Sequence, residues 1–155
     1  FNKKLFNDLI GETEFVQDNQ SKSAYGTIRG LHYQLEPYAQ AKLIRVLQGK
    51  ILDVVVDLRE KSPTYGEHFG IELSCENKKQ LFISKGFAHG FSVLSETAIV
   101  LYKTDQFYNP GSERGINYND PNLKIDWKIN TQEAIVSAKD KVLPWFQDAE
   151  KNFKF

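Results

Sequence analysis

From Glu14 to about Leu123 the chain sustains no long apolar period of helical spacing. It runs as short stretches, EFVQDNQS, TIRGLHYQ, HFGIELS, QLFIS, GFSVLS and TAIVLYKT among them, broken by turn residues about every ten positions. Strands that short bury a core only by stacking in two layers, so the pattern predicts a mainly β fold, a β-sandwich of the jelly-roll type. Residues 39–58, AQAKLIRVLQGKILDVVVDL, predict a hairpin turning at Gln48, Gly49 and Lys50. The β-branched run Val54, Val55 and Val56 predicts a strand buried on both faces. Asp53 and Asp57 fall on one side of that strand and carry no assigned role.

Outside this region the period changes. Phe1, Leu5, Phe6, Leu9 and Ile10 stand at helical spacing before Gly11, which predicts one short N-terminal helix. The polar SKSAYG segment reads as a turn region, and NDPN at 119–122 closes the β part. In the tail SAKDKVLPWFQDAEK, Ser137 or Asp140 is placed to cap a short C-terminal helix.

At 155 residues with 41% hydrophobic content, the sequence predicts one domain over 1–155, without repeats or linkers. Twenty basic and twenty acidic residues give a net charge of zero, which leaves no general field for nucleic acid or an anionic membrane. An anionic ligand must then meet a local cluster. The lone Cys75 forms no intramolecular disulfide and suits a reducing cytoplasm. No apolar run approaches the roughly 18 residues of a membrane span, and no signal-peptide pattern opens the chain. Eleven Phe, seven Tyr and two Trp against no Met suit a rigid pocket for a sugar ring or nucleobase, and equally an ordinary β core.

Chemistry gathers in GTIRGLHYQLEPYAQAK, residues 26–42. Arg29 offers a planar fork to a carboxylate or phosphate, His32 an imidazole that titrates near neutrality, and Lys42 an ammonium for a developing oxyanion. Arg29 and His32 would face opposite ways in a regular strand; Gly30 between them suggests a bulge that turns both into one cavity. A strand histidine serves structural roles as readily as catalytic ones. The three histidines, His32, His68 and His89, show no paired metal-ligand spacing, and Gln34 stands where a His-x-His pair would continue. Neither a nucleophile elbow nor a phosphate-binding glycine loop is present. Acid–base chemistry from His, Tyr, Lys and Asp remains.

In order along the chain, FVQDNQSKS, RGLHYQ, AQAKLIRVLQGKILDVVVDLREKSPTYG, ENKKQLFISKGFAHGFSVLSE, YKTDQFYNP, RGINYNDP and SAKD resemble the dTDP-4-dehydrorhamnose 3,5-epimerase family from about Phe1 to Pro144. The resemblance implies a metal-independent, cofactor-free cupin that works as a cytoplasmic homodimer in dTDP-L-rhamnose synthesis. Its substrate would be a dTDP-4-keto-6-deoxy sugar, inverted at C3 and C5 through enolates. The implied base is His32, supported by Asp140; the implied acid is Tyr102, and the implied enolate stabiliser is Lys42. Gln17, Asn19, Arg29, Lys42, His89, Glu113 and Lys139 match substrate-facing positions, and Tyr108 matches the aromatic that stacks on the base. The same residues also suit plainer roles: Gln17 and Asn19 as strand-end hydrogen-bond formers, Glu113 and Lys139 as solvated charges, Tyr108 as core. Family members carry a further N-terminal strand pair with a basic and an acidic substrate contact, ahead of the position of Phe1. Single-site epimerases, ketoisomerases and a non-catalytic sugar-nucleotide-binding cupin share the scaffold and stand as alternatives; a metal-dependent cupin oxygenase is the more distant one.

Overall fold

A computed structural model describes all residues, 1–155. Helix α1 spans Lys3–Ile10, and ten strands follow: β1 Gln17–Ala24, β2 Thr27–Gln34, β3 Lys42–Gln48, β4 Lys50–Asp57, β5 His68–Ser74, β6 Gln80–Ile83, β7 Phe87–Val93, β8 Thr97–Thr104, β9 Glu113–Gly115 and β10 Ile135–Val136. A single turn, α2, covers Ala138–Lys141. The start and stop of α1 match its sequence: the Asn2 side chain accepts from the Leu5 N–H, and Gly11, at φ 83°, donates to the Asn7 carbonyl. No helix is long and apolar enough to cross a membrane.

The strands form two facing sheets, ordered β1-β8-β3-β6 and β10-β2-β7-β4-β5, with β9 on β2. Only β10 on β2 is parallel among these pairings. The expected jelly-roll sandwich is therefore the observed fold. Between the sheets, Ile44, Val46, Ile83, Ala98 and Val100 of one pack on Ile51, Leu73, Phe91 and Val93 of the other. The outer face of the second sheet, including Ile28, Leu31, Leu52, Val54 and Val56, is covered by Leu123, Trp127, Ala149 and Phe153. That burial explains the valine run, although Val55 is only half-buried.

Two sequence expectations need correction. β3 and β4 follow one another, yet they pair with strands of different sheets and make no hairpin. Val46 and Ile51 enter the same inter-sheet core from opposite walls, so the turn carries the chain across the sandwich. It does so at Gly49, φ 75°, where an added Cβ would stand 2.1 Å from the Thr97 carbonyl oxygen. Likewise Ser21, Lys22, Ser23 and Ala24 are not turn but the second half of β1, leaving only Tyr25 and Gly26 to reverse the chain. The small polar residues there serve a cleft: Ser21 bounds it and Ser23 binds its arginine, Arg29.

Asp57 is not solvated at its strand end but 2% exposed. Its carboxylate accepts from Arg59 Nε (2.9 Å), Arg59 Nη2 (2.7 Å), Ser62 Oγ (2.6 Å) and Thr64 Oγ1 (2.7 Å). Burial opposes the charge, but these donors outweigh it and hold the carboxyl well below the usual carboxylate range. A folded-state pKa below the unfolded one stabilises the fold at neutral pH, and the gain is lost as pH falls below about 4. We expect Asp57→Ala to cost about 3 kcal/mol in urea unfolding at pH 7, with the difference from wild type shrinking as the medium is acidified.

Candidate active site

At one end of the sandwich the inward positions change from apolar to polar. Gln17 and Asn19 of β1, His32 of β2, Lys42 of β3, His89 of β7 and Tyr102 of β8 line a cleft with two lobes of about 220 and 510 Å³, which share His32, Lys42 and Tyr102. The first lobe adds Tyr108 and Glu113, the second Arg29, Lys139 and Asp140. The fold thus brings together the residues that the family resemblance assigned to a site.

Gly30 is what lets Arg29 and His32 share that cleft. Across β2 and β7, Arg29 pairs with Phe91 and His32 with His89, with a register shift between them. The strand so gains a residue and both side chains turn inward. Gly30 has φ 111°, and an added Cβ would lie 2.6 Å from Gly90 Cα and 2.6 Å from the His89 carbonyl oxygen. Only glycine fits there.

His32 Nε2 stands 2.7 Å from Asp140 Oδ1, and Asp140 Oδ2 accepts the Gly30 N–H at 3.3 Å. Ser137, not Asp140, caps α2 by accepting the Asp140 N–H at 3.0 Å, so the Asp140 carboxylate is free to face β2. Burial works against its charge, yet His32 and the Gly30 N–H hold the carboxyl below the usual range. An ionised Asp140 accepts hydrogen from Nε2 and leaves the His32 Nδ1 lone pair for a ligand.

The opposite wall carries the electrophiles. Lys42 forms no ion pair and no side-chain hydrogen bond in the protein, and burial pushes its ammonium down to about 8, with Asp53 and Glu113 opposing. Tyr102 sits diagonally across from it, since Lys42 pairs with Thr104 and Ile44 with Tyr102. Burial raises the Tyr102 phenol, so it keeps its proton at neutral pH. On the wall of His32 itself, Arg29 Nε of β2 donates across to Ser23 Oγ of β1 at 3.0 Å, which leaves the outer nitrogens for an anion.

At the mouth, Tyr108 Oη (2.6 Å) and Lys139 Nζ (2.5 Å) both donate to Glu113 Oε2. Gln17 links this rim to β1, donating to Asn19 Oδ1 at 2.8 Å and accepting the Tyr108 N–H at 3.1 Å. Tyr108 is 52% exposed and so is not core, and Glu113 and Lys139 are tied to each other rather than merely solvated. The Gln34 side chain donates to the carbonyls of Tyr38 and Phe107 and accepts the Asn109 N–H. Sequence reading missed Asp53, which is fully buried and 2.7 Å from His89 Nε2. The two residues are far apart in sequence, so only the strand pairing joins them.

The sequence model of the dTDP-4-dehydrorhamnose 3,5-epimerase family matches residues 1–148. The chain is 52% identical over 151 residues to the dTDP-4-dehydrorhamnose 3,5-epimerase of Shigella flexneri, covering 97% of this chain and 82% of that one. It superposes with a TM-score of 0.91 on the crystal structure of the enzyme of that name from Elizabethkingia anophelis, at 54% identity, over 96% of this chain and 82% of the other. A Legionella pneumophila epimerase in complex with dTDP-4-keto-L-rhamnose gives the same score at 46% identity, over 96% and 78%.

The bulge yields a test of the site's construction. Gly30→Ala should destabilise the fold by about 2–4 kcal/mol in thermal unfolding and abolish activity, because backbone must move to admit the Cβ. Wild-type stability would show that the close approach is not required.

Proposed function

Because the chain belongs to the dTDP-4-dehydrorhamnose 3,5-epimerase family, we propose that this protein inverts C3 and C5 of a dTDP-4-keto-6-deoxy sugar by proton transfer alone. The observation that carries the reading is the opposition of His32 and Tyr102 across the cleft: one belongs to β2, the other to β8 in the facing sheet. Inversion removes a proton from one face of the ring and returns one to the other, so it needs a base and an acid on opposite walls.

Both target carbons are α to the C4 ketone. His32 Nδ1 takes the proton, the bonding pair moves into the carbonyl, and the negative charge comes to the C4 oxygen. Lys42 supplies the positive charge there. Asp140 orients the ring and stabilises the imidazolium that forms. Tyr102 then delivers its proton to the opposite face, and exchange with solvent restores both groups. Carbonyl and enolate return between the two centres, so one base, one acid and one oxyanion partner serve twice. Arg29 and Lys139 suit the diphosphate, and Tyr108 at the rim suits stacking on the thymine. Gln17, Asn19, His89 and Glu113 complete the polar lining that would hold the sugar and nucleotide. The protein's family supports a cytoplasmic homodimer that needs no cofactor.

His32→Ala should lower turnover by at least about a thousandfold in a reductase-coupled assay while leaving thermal unfolding unchanged. Substantial residual turnover would remove His32 from the base's role. Lys42 gives the pH dependence: an ammonium with a pKa of about 8 loses its charge above that pH, so kcat/KM should fall on the alkaline side. Lys42→Arg should remove that alkaline fall, at reduced rate.

A further inference from the structure

At the cleft lies a second carboxylate–imidazole pair, of which the mechanism above uses His89 only as lining and Asp53 not at all. His89 is the cross-strand partner of His32, and each ring is held through Nε2 at 2.7 Å by its own aspartate, His32 by Asp140 and His89 by Asp53. Asp53 is 0% exposed, and its Oδ2 is the one buried side-chain polar atom without a hydrogen bond. His89 Nδ1 has no partner in the protein, while its ring lines the lobe that also holds Arg29, Lys42 and Asp140.

A fully buried carboxylate with a single hydrogen bond within the protein is costly unless positive charge stands nearby. Lys42 is that charge: Asp53 acts on it from β4, and Glu113 acts on it from β9. The other titratable or charged groups lining the shared cleft are His32 and Tyr33 from β2, Tyr102 from β8, Tyr108 at the rim and, in the larger lobe, Arg29, His89, Lys139 and Asp140.

We propose that Asp53 is a positioning residue of the reaction: from beneath the cleft floor it fixes the His89 imidazole with Nδ1 turned toward the sugar, and it places a negative charge behind Lys42. A bare Nδ1 accepts a hydrogen bond from a ring hydroxyl, so His89 orients the sugar relative to His32. Asp53 never touches substrate. This inference rests on the epimerase reading above, and its test separates the two.

The first measurement is the nitrogen-15 spectrum of the imidazole rings in the wild-type protein, which has only His32, His68 and His89 to assign. Hydrogen on His89 Nε2 is expected; a ring with Nε2 bare would overturn the proposal whether or not the protein is an epimerase. The second is Asp53→Asn, which keeps shape and removes charge. It should reduce kcat/KM at neutral pH by on the order of tenfold or more and move the alkaline fall to lower pH, a shift that mere loosening of the fold would not produce. In a His89→Asn background the rate loss from Asp53→Asn should largely vanish while the pH shift remains. An active wild type with an Asp53→Asn variant unchanged in rate and pH profile would overturn the proposal; an inactive wild type would instead overturn the epimerase reading.

Discussion

The contact between His32 and Asp140 joins a strand in the middle of a sheet to a single helical turn 108 positions later. It exists because three things coincide. Gly30 lets β2 run within van der Waals contact of Gly90 and turns His32 inward; Ser137 caps the turn and frees the Asp140 carboxylate; and the C-terminal segment is anchored by Trp127, Ala149 and Phe153 on the outer face of the same sheet. Loss of any one would leave an imidazole with an unfixed tautomer or a buried carboxylate without its partner.

The sandwich has two unlike ends. Where Ile44, Val46, Val93 and Val100 meet, apolar burial fixes the separation and register of the sheets. Continue along the same inward positions and the lining becomes Lys42, His89, Asn19 and Tyr102. The apolar end holds the polar end open, so these groups keep fixed places although they repay little of their own desolvation. That rigidity is what proton transfer on two faces of a ring demands.

Much of this was legible in the sequence. The alternation of short strands gave the two-layer architecture, and Gly30 between Arg29 and His32 gave the bulge. The ordered motifs pointed to the family and to the residues that the fold gathers. What escaped was pairing at a distance. A tight turn at Gly49 looks the same whether it closes a hairpin or crosses a sandwich, because both leave apolar residues on either side. Ser21 and Ser23 looked like turn because their polarity serves the cleft. Asp53 looked dispensable because its partner is His89, and no local spacing reports a contact between strands of separate sequence neighbourhoods.

The central claim is that one cleft exchanges the protons on both carbons beside the ketone. Proton NMR of dTDP-4-keto-6-deoxyglucose incubated with the protein in deuterated water tests it directly. The account predicts loss of both the C3 and C5 proton signals above the enzyme-free rate, with a product of L-rhamno configuration. Loss of one signal alone would contradict double inversion in favour of a single-site epimerase; loss of neither, with ligand bound, would mean that the cleft holds a sugar nucleotide without transforming it.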